Sequence, residues 1–240
     1  MVLLKATDVS KSFNGNVVVD NVNIEINEGE IVGLIGANGA GKTTLFNCLS
    51  GYYKVDSGNV HFENKKIDKL PANRICKLGL GRTFQIAKPF NSLTVLENVA
   101  VGAYNRHKTK KEAYEKAEEY IKFTGLSDKT TTLAGDLNTG EQRKLELARV
   151  LATEPKLLLL DEVMAGLTPT ESVEMTALIR KIRDSGVTIL MIEHIMPALM
   201  SLSDRVYVLD RGALICSGTP EQVSKNKLVI ESYLGKSKES

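Results

Sequence analysis

The sequence predicts an α/β protein: a core of mostly parallel sheet, an N-terminal antiparallel β subdomain and a small helical subdomain. Three observations carry that prediction. Short, wholly apolar runs at Ile31 to Ile35, Leu157 to Leu160 and Val187 to Ile192 alternate with amphipathic stretches, the pattern of strands buried on both faces of a sheet between helices. Ahead of them, Val2 to Ser10 and Val17 to Ile26 are rich in β-branched residues and flank the turn residues Ser12 to Asn16, which reads as a β-hairpin. Between the apolar runs, Lys108 to Thr124 is charged along most of its length but keeps Ala113, Ala117, Tyr120 and Ile121 at helical spacing, the buried stripe of a helical lobe.

The remaining elements follow in order. A helix is expected from Thr43 to Ser50, with Leu45, Phe46 and Leu49 on its apolar face and Gly51 as its stop. A strand at Asn59 to Glu63 and a short helix from Pro71 to Leu78 come next, then a strand candidate from Gly81 to Gln85. Ile86 to Ser92 follows, with Pro89-Phe90 as turn and exposed anchor. Leu93, Val95, Leu96, Val99 and Ala100 recur at helical spacing, Leu126 to Asn138 reads as a polar loop, and a helix starts near Thr139 with Leu145, Leu147, Ala148 and Leu151. Glu171 to Asp184 is an amphipathic helix, Val206 to Leu209 and Ala213 to Cys216 are strands joined by the turn Arg211-Gly212, and Pro220 opens a last helical region before a frayed tail at Lys236 to Ser240. The core with its β subdomain is expected over residues 1–85 and 155–240, and the helical subdomain over about 86–154.

Bulk properties exclude several classes. A chain of 240 residues exceeds the usual domain of roughly 100 to 150 and can bury a sizeable core. Hydrophobic residues at 42% and charged ones at 25% fit an ordinary globular protein, and a net charge of +2 with no isolated basic block gives no ground for nucleic-acid binding. Cys48, Cys76 and Cys216 are odd in number and far apart, which suits neither a disulfide framework nor a zinc site and fits a reducing cytoplasm. The start at Met1 to Lys5 lacks the pattern of a leader, and no run reaches the ~18 apolar residues of a membrane span. A cytoplasmic protein, attached to a membrane only through partners, is the expectation.

Gly36-Ala37-Asn38-Gly39-Ala40-Gly41-Lys42-Thr43 fits the phosphate-binding pattern G-x-x-x-x-G-K-[ST], and it has the context the pattern needs, an apolar strand before it and a helix after it. The glycines let the backbone turn tightly and aim N–H groups inward, and the helix adds its positive end. Lys42 would reach the β- and γ-phosphates and Thr43 offers a hydroxyl to Mg²⁺. Phe13 interrupts the hairpin turn, either to stack on a nucleotide base or to anchor the hairpin in the core.

Ligands of open α/β sheets collect at the carboxyl ends of strands, and three strand ends carry groups suited to phosphoryl transfer to water. Asp161 closes the leucine-rich strand as a metal ligand and Glu162 beside it can take a proton from the attacking water. Gln85 and His194 end two other strand candidates, the first to orient water or Mg²⁺ and the second to sense the γ-phosphate.

Leu137-Asn138-Thr139-Gly140-Glu141-Gln142-Arg143, at the start of a helix ahead of the Asp161-Glu162 pair, resembles the LSGGQ signature of ABC ATPases. With it Gln85 matches that family's Q-loop, His194 its switch histidine, Phe13 its adenine-stacking aromatic and Ala165-Gly166-Leu167-Thr168 its D-loop. The resemblance spans nearly the whole chain and implies the P-loop NTPase core of the ABC ATPase fold, ATP and Mg²⁺ as cofactors, and a head-to-tail dimer with ATP between the phosphate loop of one subunit and the signature helix of the other. It assigns ATP contacts to Phe13, Gly36, Asn38, Gly39, Ala40, Gly41, Lys42, Thr43, Thr44, Asn138 and Gly140, catalytic roles to Glu162, His194, Gln85 and Lys42, and Mg²⁺ to Thr43, Gln85 and Asp161. The chain departs from the family at Asn138 for serine, Thr139 for the first signature glycine, Val163 for proline and Thr168 for the D-loop aspartate.

Gly81 to Gln85, Pro89 to Val99, Ala165 to Leu167 and Tyr233-Leu234-Gly235 narrow the resemblance to the ATP-binding subunits of branched-chain amino-acid importers. It implies hydrophobic permease subunits as partners, an ATP-dependent homodimer or a heterodimer with a related ATPase, and a place on the inner face of the cell membrane. Phe90 and Leu93 are either a docking surface for the permease or local core. The alternative function is a soluble ABC ATPase acting on ribosomes or nucleic acid, which usually carries two ATPase units, coiled-coil insertions or basic extensions; this chain has none of these.

Overall fold

The computed structural model describes residues 1–85 and 88–234, and the chain divides into two compact units, Met1–Ile75 with Thr188–Ser240 and Cys76–Val187. The start of the Ile86 to Ser92 segment (Ile86 and Ala87), Gly235 and the tail at Lys236 to Ser240 lie outside the described residues.

In the first unit, β1 (Val2–Phe13) and β2 (Asn16–Asn27) form the antiparallel hairpin. Both run longer than their β-branched content indicates, because the turn narrows to Asn14 and Gly15 at φ 50° and 82°, the positive pair that a two-residue type I′ turn requires. β4 (Ser57–Phe62) pairs with the other edge of β1 and carries the short β5 (Lys65–Lys66), giving an antiparallel sheet of order β2-β1-β4-β5. One face of this sheet is apolar: Leu4, Ala6, Ile24, Ile26, Val60 and Phe62 are buried, and the outward residues are largely polar, as a period of two demands.

The second sheet of this unit sets β3 (Ile31–Ile35) between two parallel neighbours, β8 (Thr188–Ile192) and β9 (Arg205–Asp210), with β10 (Ala213–Gly218) antiparallel to β9. Every residue of β3 and β8 is buried, which is the physical content of their continuous apolar runs. Helix α1 (Lys42–Leu49) follows β3, α7 (Met196–Leu202) follows β8, and α8 (Pro220–Ser224) and α9 (Lys227–Leu234) end the described chain. Ile35, Leu199, Val206, Val208 and Val223 close one of its cores.

Helix α2 (Ala72–Leu78) leads into the second unit, where β6 (Leu80–Arg82) lies parallel to β7 (Leu157–Asp161). Helices α3 (Val95–Ala103), α4 (Lys110–Thr124) and α5 (Thr139–Leu151) pack around Val99, Ala113, Ala117, Ile121, Leu145 and Ala148, so the stripe read on α4 is a buried face. The stretch from Leu126 to Asn138 is not only loop: Ser127–Lys129 and Ala134–Asp136 are single 3₁₀ turns. Helix α6 (Pro169–Asp184) completes the unit. Helices α3, α4, α5, α6 and α8 all start at capping boxes, Thr94/Glu97, Thr109/Glu112, Asn138/Glu141, Thr168/Glu171 and Thr219/Gln222, which fixes where each begins.

One strand is shorter than expected. β6 ends at Arg82, so Gln85 lies three residues beyond a strand instead of closing it. The cause is Thr83. Its N–H still donates to the carbonyl of Leu159 at 2.9 Å, but its hydroxyl accepts the N–H of Asp161 at 3.0 Å, so a side chain replaces the next ladder bond and the backbone leaves the sheet.

Candidate functional site

The expected site residues fall in both units. The first holds the phosphate loop, Phe13 and His194; the second holds Gln85, Asp161, Glu162, Asn138 and Gly140.

The loop leaves β3 at Gly36, where a Cβ would collide with the carbonyl oxygen of Leu209, and enters α1 at Gly41, whose φ of 100° and approach to the carbonyl of Val18 both require glycine. Gly212 N donates to the Ala40 carbonyl at 3.0 Å, tying the loop to the β9–β10 turn. Gly41 is the N-cap of α1 and no side chain caps that end, so the first N–H groups of the helix are directed at whatever anion the loop receives. Asn38 and Gly39 are exposed, Ala40 is buried, Thr43 is exposed in the first turn and Thr44 half-buried. Lys42 is 7% exposed, with Nζ donating to the carbonyls of Gly36 at 2.8 Å and Ala37 at 3.1 Å. A buried ammonium must be solvated, and here the loop's own carbonyls do it; phosphate oxygens are the stronger acceptors for the same group.

Phe13 closes β1 and is 37% exposed, which removes the alternative of a buried hairpin anchor. His194 is exposed two residues past β8, next to the buried Glu193.

In the second unit β7 delivers its carboxylate at the end of a wholly buried strand. The side chain of Asp161 is 1% exposed, and its Oδ2 accepts from Arg82 Nη2 at 3.0 Å. At Glu162 the backbone turns to φ 52°, a left-handed conformation rare for this residue type, so the two adjacent acids are re-aimed away from strand alternation. Glu162 Oε2 accepts from Gln85 Nε2 at 2.7 Å. The structure therefore brings Gln85 and Glu162 together although they are far apart in sequence and Gln85 is outside the strand.

What holds Gln85 is helix α5. Arg143 Nη2 donates to the Gln85 carbonyl at 2.8 Å and Nη1 to that of Phe84 at 3.4 Å, while Glu146 Oε1 accepts the Phe84 N–H at 2.8 Å. Arg82, Arg143 and Glu146 are the residues that sequence reasoning missed. Arg82 and Arg143 lie inside the motif stretches, but only their burial beside carboxylates marks them.

Burial pushes the Glu146 carboxyl above its ordinary value near 4.5, against the opposing pull of the Phe84 N–H and Arg143. A carboxyl with a raised folded pKa binds its proton more readily folded than unfolded, so stability falls as pH rises through the interval above 4.5 and then levels. Glu146→Gln keeps an acceptor for Phe84 and does not titrate. The stability of the wild type relative to that variant is expected to decline from pH 4.5 toward neutral in urea unfolding; a difference independent of pH would contradict it.

Asn138 is the N-cap of α5: its Oδ1 accepts the Glu141 N–H at 2.9 Å and its own N–H donates to Glu141 Oε2 at 3.0 Å. The replacement of serine is thus a swap between good caps, at a residue that is exposed. Gly140 is buried where a Cβ would strike Glu171 Oε1, and Glu171 Oε2 accepts from the hydroxyl and N–H of Thr168 at 2.8 Å each. Thr168, the departure in the D-loop stretch, is therefore the cap of α6. Phe90 is 48% exposed, on a turn held by Asn98, whose Oδ1 accepts the Phe90 N–H at 2.9 Å and whose Nδ2 donates to the Phe90 carbonyl at 3.1 Å. Leu93 is half-buried.

The Thr43 hydroxyl in the first unit, and the Asp161 carboxylate and Gln85 side-chain amide oxygen in the second, are each oxygen donors of the hard kind that Mg²⁺ prefers. Among the described residues there is no group of three or more His, Cys, Asp or Glu that could hold a metal ion. No helix among the described residues is long and apolar enough to cross a membrane.

Comparison with known proteins gives a consistent result. Residues 19–165 match the ABC transporter family and residues 213–239 match the family described as branched-chain amino acid ATP-binding cassette transporter. The high-affinity branched-chain amino acid transport ATP-binding protein LivG of Escherichia coli K12 is 40% identical over 97% of this chain and 98% of its own. A nucleotide-free ATP-binding cassette from an ABC transporter superposes with a TM-score of 0.89 at 31% identity, over 97% of this chain and 99% of that one. A dimeric structure of MJ0796, a bacterial ABC transporter cassette, gives 0.83 at 25% identity, over 91% and 99%.

Proposed function

The chain belongs to the ABC transporter family, an ATPase whose hydrolysis powers an importer, and from that we propose that its cargo is a branched-chain or other amino acid. The match of its C-terminal segment to the branched-chain cassette family carries the choice of cargo, and the likeness to LivG over nearly the full length of both chains supports it. Nothing in these relatives favours action on ribosomes or nucleic acid.

The phosphate loop binds the triphosphate of ATP through its N–H groups and the end of α1, with Lys42 turning from the carbonyls of Gly36 and Ala37 to the β- and γ-phosphate oxygens. Phe13 stacks on adenine, while Asn38, Gly39, Ala40 and Thr44 complete the cradle. Thr43, Asp161 and Gln85 would hold Mg²⁺, which when bound would neutralise charge on the phosphates. Glu162 takes the proton of the attacking water, and Gln85, hydrogen-bonded to Glu162, orients that water. His194 contacts the γ-phosphate. Asn138 and Gly140, at the start of α5, meet the γ-phosphate of ATP bound to a second subunit, where a helix N-terminus favours an anion. The dimer is closed by ATP and reopens after hydrolysis. The helical subdomain, over about 86–154, conveys that motion to the permeases, with exposed Phe90 in the docking surface. The protein thus works at the inner face of the membrane, as a homodimer or paired with a related ATPase.

A tagged chain drawn from its own cells in gentle detergent is expected to bring down polytopic permeases, with or without a second ATPase and a solute-binding protein whose ligand names the cargo. Recovery of ribosomal or soluble partners alone would refute the transport reading.

A further inference from the structure

We infer that Tyr53 is a positioning residue for ATP: it fixes the ring of Phe13 that stacks on the base, an inference that rests on the role given to Phe13 above. Phe13 is the last residue of β1 before a two-residue turn, and more than a third of it faces solvent. A side chain so placed has little of its own strand to hold it in one rotamer, and a stacking platform must be fixed before the ligand arrives if affinity is not to be lost in ordering it. Two contacts provide that order. The ring of Tyr53 meets Phe13 in an edge-type arrangement, with centroids 5.2 Å apart and planes at 69°. Lys11 Nζ lies 5.4 Å from the Phe13 centroid and is itself held by Asp56 Oδ1 at 2.6 Å, while Asp56 Oδ2 accepts the Ser12 N–H at 2.7 Å.

The anchor of Tyr53 makes this more than local packing. The N–H groups of Tyr52 and Tyr53 both donate to the carbonyl of Asn47, at 2.9 and 3.0 Å, which pins them to the last turn of α1. The exposed ring of Tyr52 backs Tyr53 at 5.2 Å. Helix α1 is the helix whose first turn follows the phosphate loop. One rigid element therefore carries the phosphate end of the nucleotide at its start and, through Tyr53, sets the ring for the base end. Stacking on a π-face is tolerant of base identity, so this arrangement supplies affinity for the base without selecting adenine over guanine.

The test compares ATP with inorganic tripolyphosphate, which has the phosphates and no base, in calorimetric titrations of the full-length chain. Tyr53→Leu is expected to weaken ATP roughly two- to tenfold, the worth of an aromatic pair, and to leave tripolyphosphate unchanged. Tyr53→Phe, which keeps the ring, should bind ATP as the wild type does. Phe13→Ala should lose at least as much as Tyr53→Leu, and the double variant no more than Phe13→Ala alone. Equal losses for ATP and tripolyphosphate in Tyr53→Leu would show a structural effect on the loop and overturn the inference. So would unchanged ATP affinity in Tyr53→Leu when Phe13→Ala is impaired, an outcome that leaves the stacking role standing. Unchanged ATP affinity in Phe13→Ala would remove the stacking role itself, and the inference with it.

Discussion

Glu162→Gln is expected to lower ATP turnover by about 10²- to 10⁴-fold, the range for loss of a positioned general base, with ATP affinity and the unfolding midpoint near wild type. The separation of the two effects follows from the surroundings of the side chain. Glu162 accepts a hydrogen bond from Gln85 Nε2 at 2.7 Å, and a glutamine carbonyl can accept the same bond. The backbone at φ 52° is as open to glutamine as to glutamate, so no new strain enters. What is lost is a carboxylate able to take a proton. In the proposed function binding rests on other groups, chiefly those of the phosphate loop and α1, which the substitution leaves alone. Single-turnover hydrolysis and equilibrium ATP binding, measured on the same preparation, check both halves. Turnover within a factor of two of wild type would show that the proton goes elsewhere, and a parallel fall in affinity would assign Glu162 a structural role instead.

What the sequence revealed, and what it hid, divides by range. The phosphate loop is legible because each requirement is local: a glycine where a Cβ would strike the Leu209 carbonyl, another at φ 100°, a lysine and a threonine at fixed offsets. Strands β3, β7 and β8 are legible because burial on both faces confines polar residues to a strand end, Asp161 in β7 and Thr188 in β8. Asn138 could be read as a tolerated departure, and its three-residue spacing to Glu141 is a capping signature visible in the sequence. By contrast, the partners of the carboxylates are set by tertiary contact. Arg82 and Asp161 are separated by 79 positions, and Arg143 reaches Gln85 across 58, so no periodicity links them. The end of β6 was hidden for the same reason. Gly81 to Gln85 has strand composition throughout, and only the hydroxyl of Thr83, placed to take the Asp161 N–H, ends the ladder at Arg82.

Arg82→Ala is expected to destabilise the fold by about 3–5 kcal/mol, the cost of removing one partner from a buried ion pair. The side chains of Arg82 and Asp161 are only 8% and 1% exposed, and their contact at 3.0 Å is a charge-assisted hydrogen bond as well as an ion pair. The exposed pair Lys111–Glu115, with side chains 85% and 64% accessible, supplies the control: Lys111→Ala should stay within about 0.5 kcal/mol of wild type. A double-mutant cycle separates loss of the charge pair from loss of arginine packing, including its approach to the Phe84 ring at 5.2 Å. If the buried carboxylate charge is the source of the penalty, Asp161→Asn placed on Arg82→Ala should recover part of the stability, although not the ATPase activity, since the proposed metal ligand is then neutral. If Arg82 acts mainly by packing, the double variant should be at least as unstable as Arg82→Ala. Urea unfolding of the four proteins decides between the two, and a loss below about 1 kcal/mol in Arg82→Ala would place this pair with the surface bridges, whatever its burial.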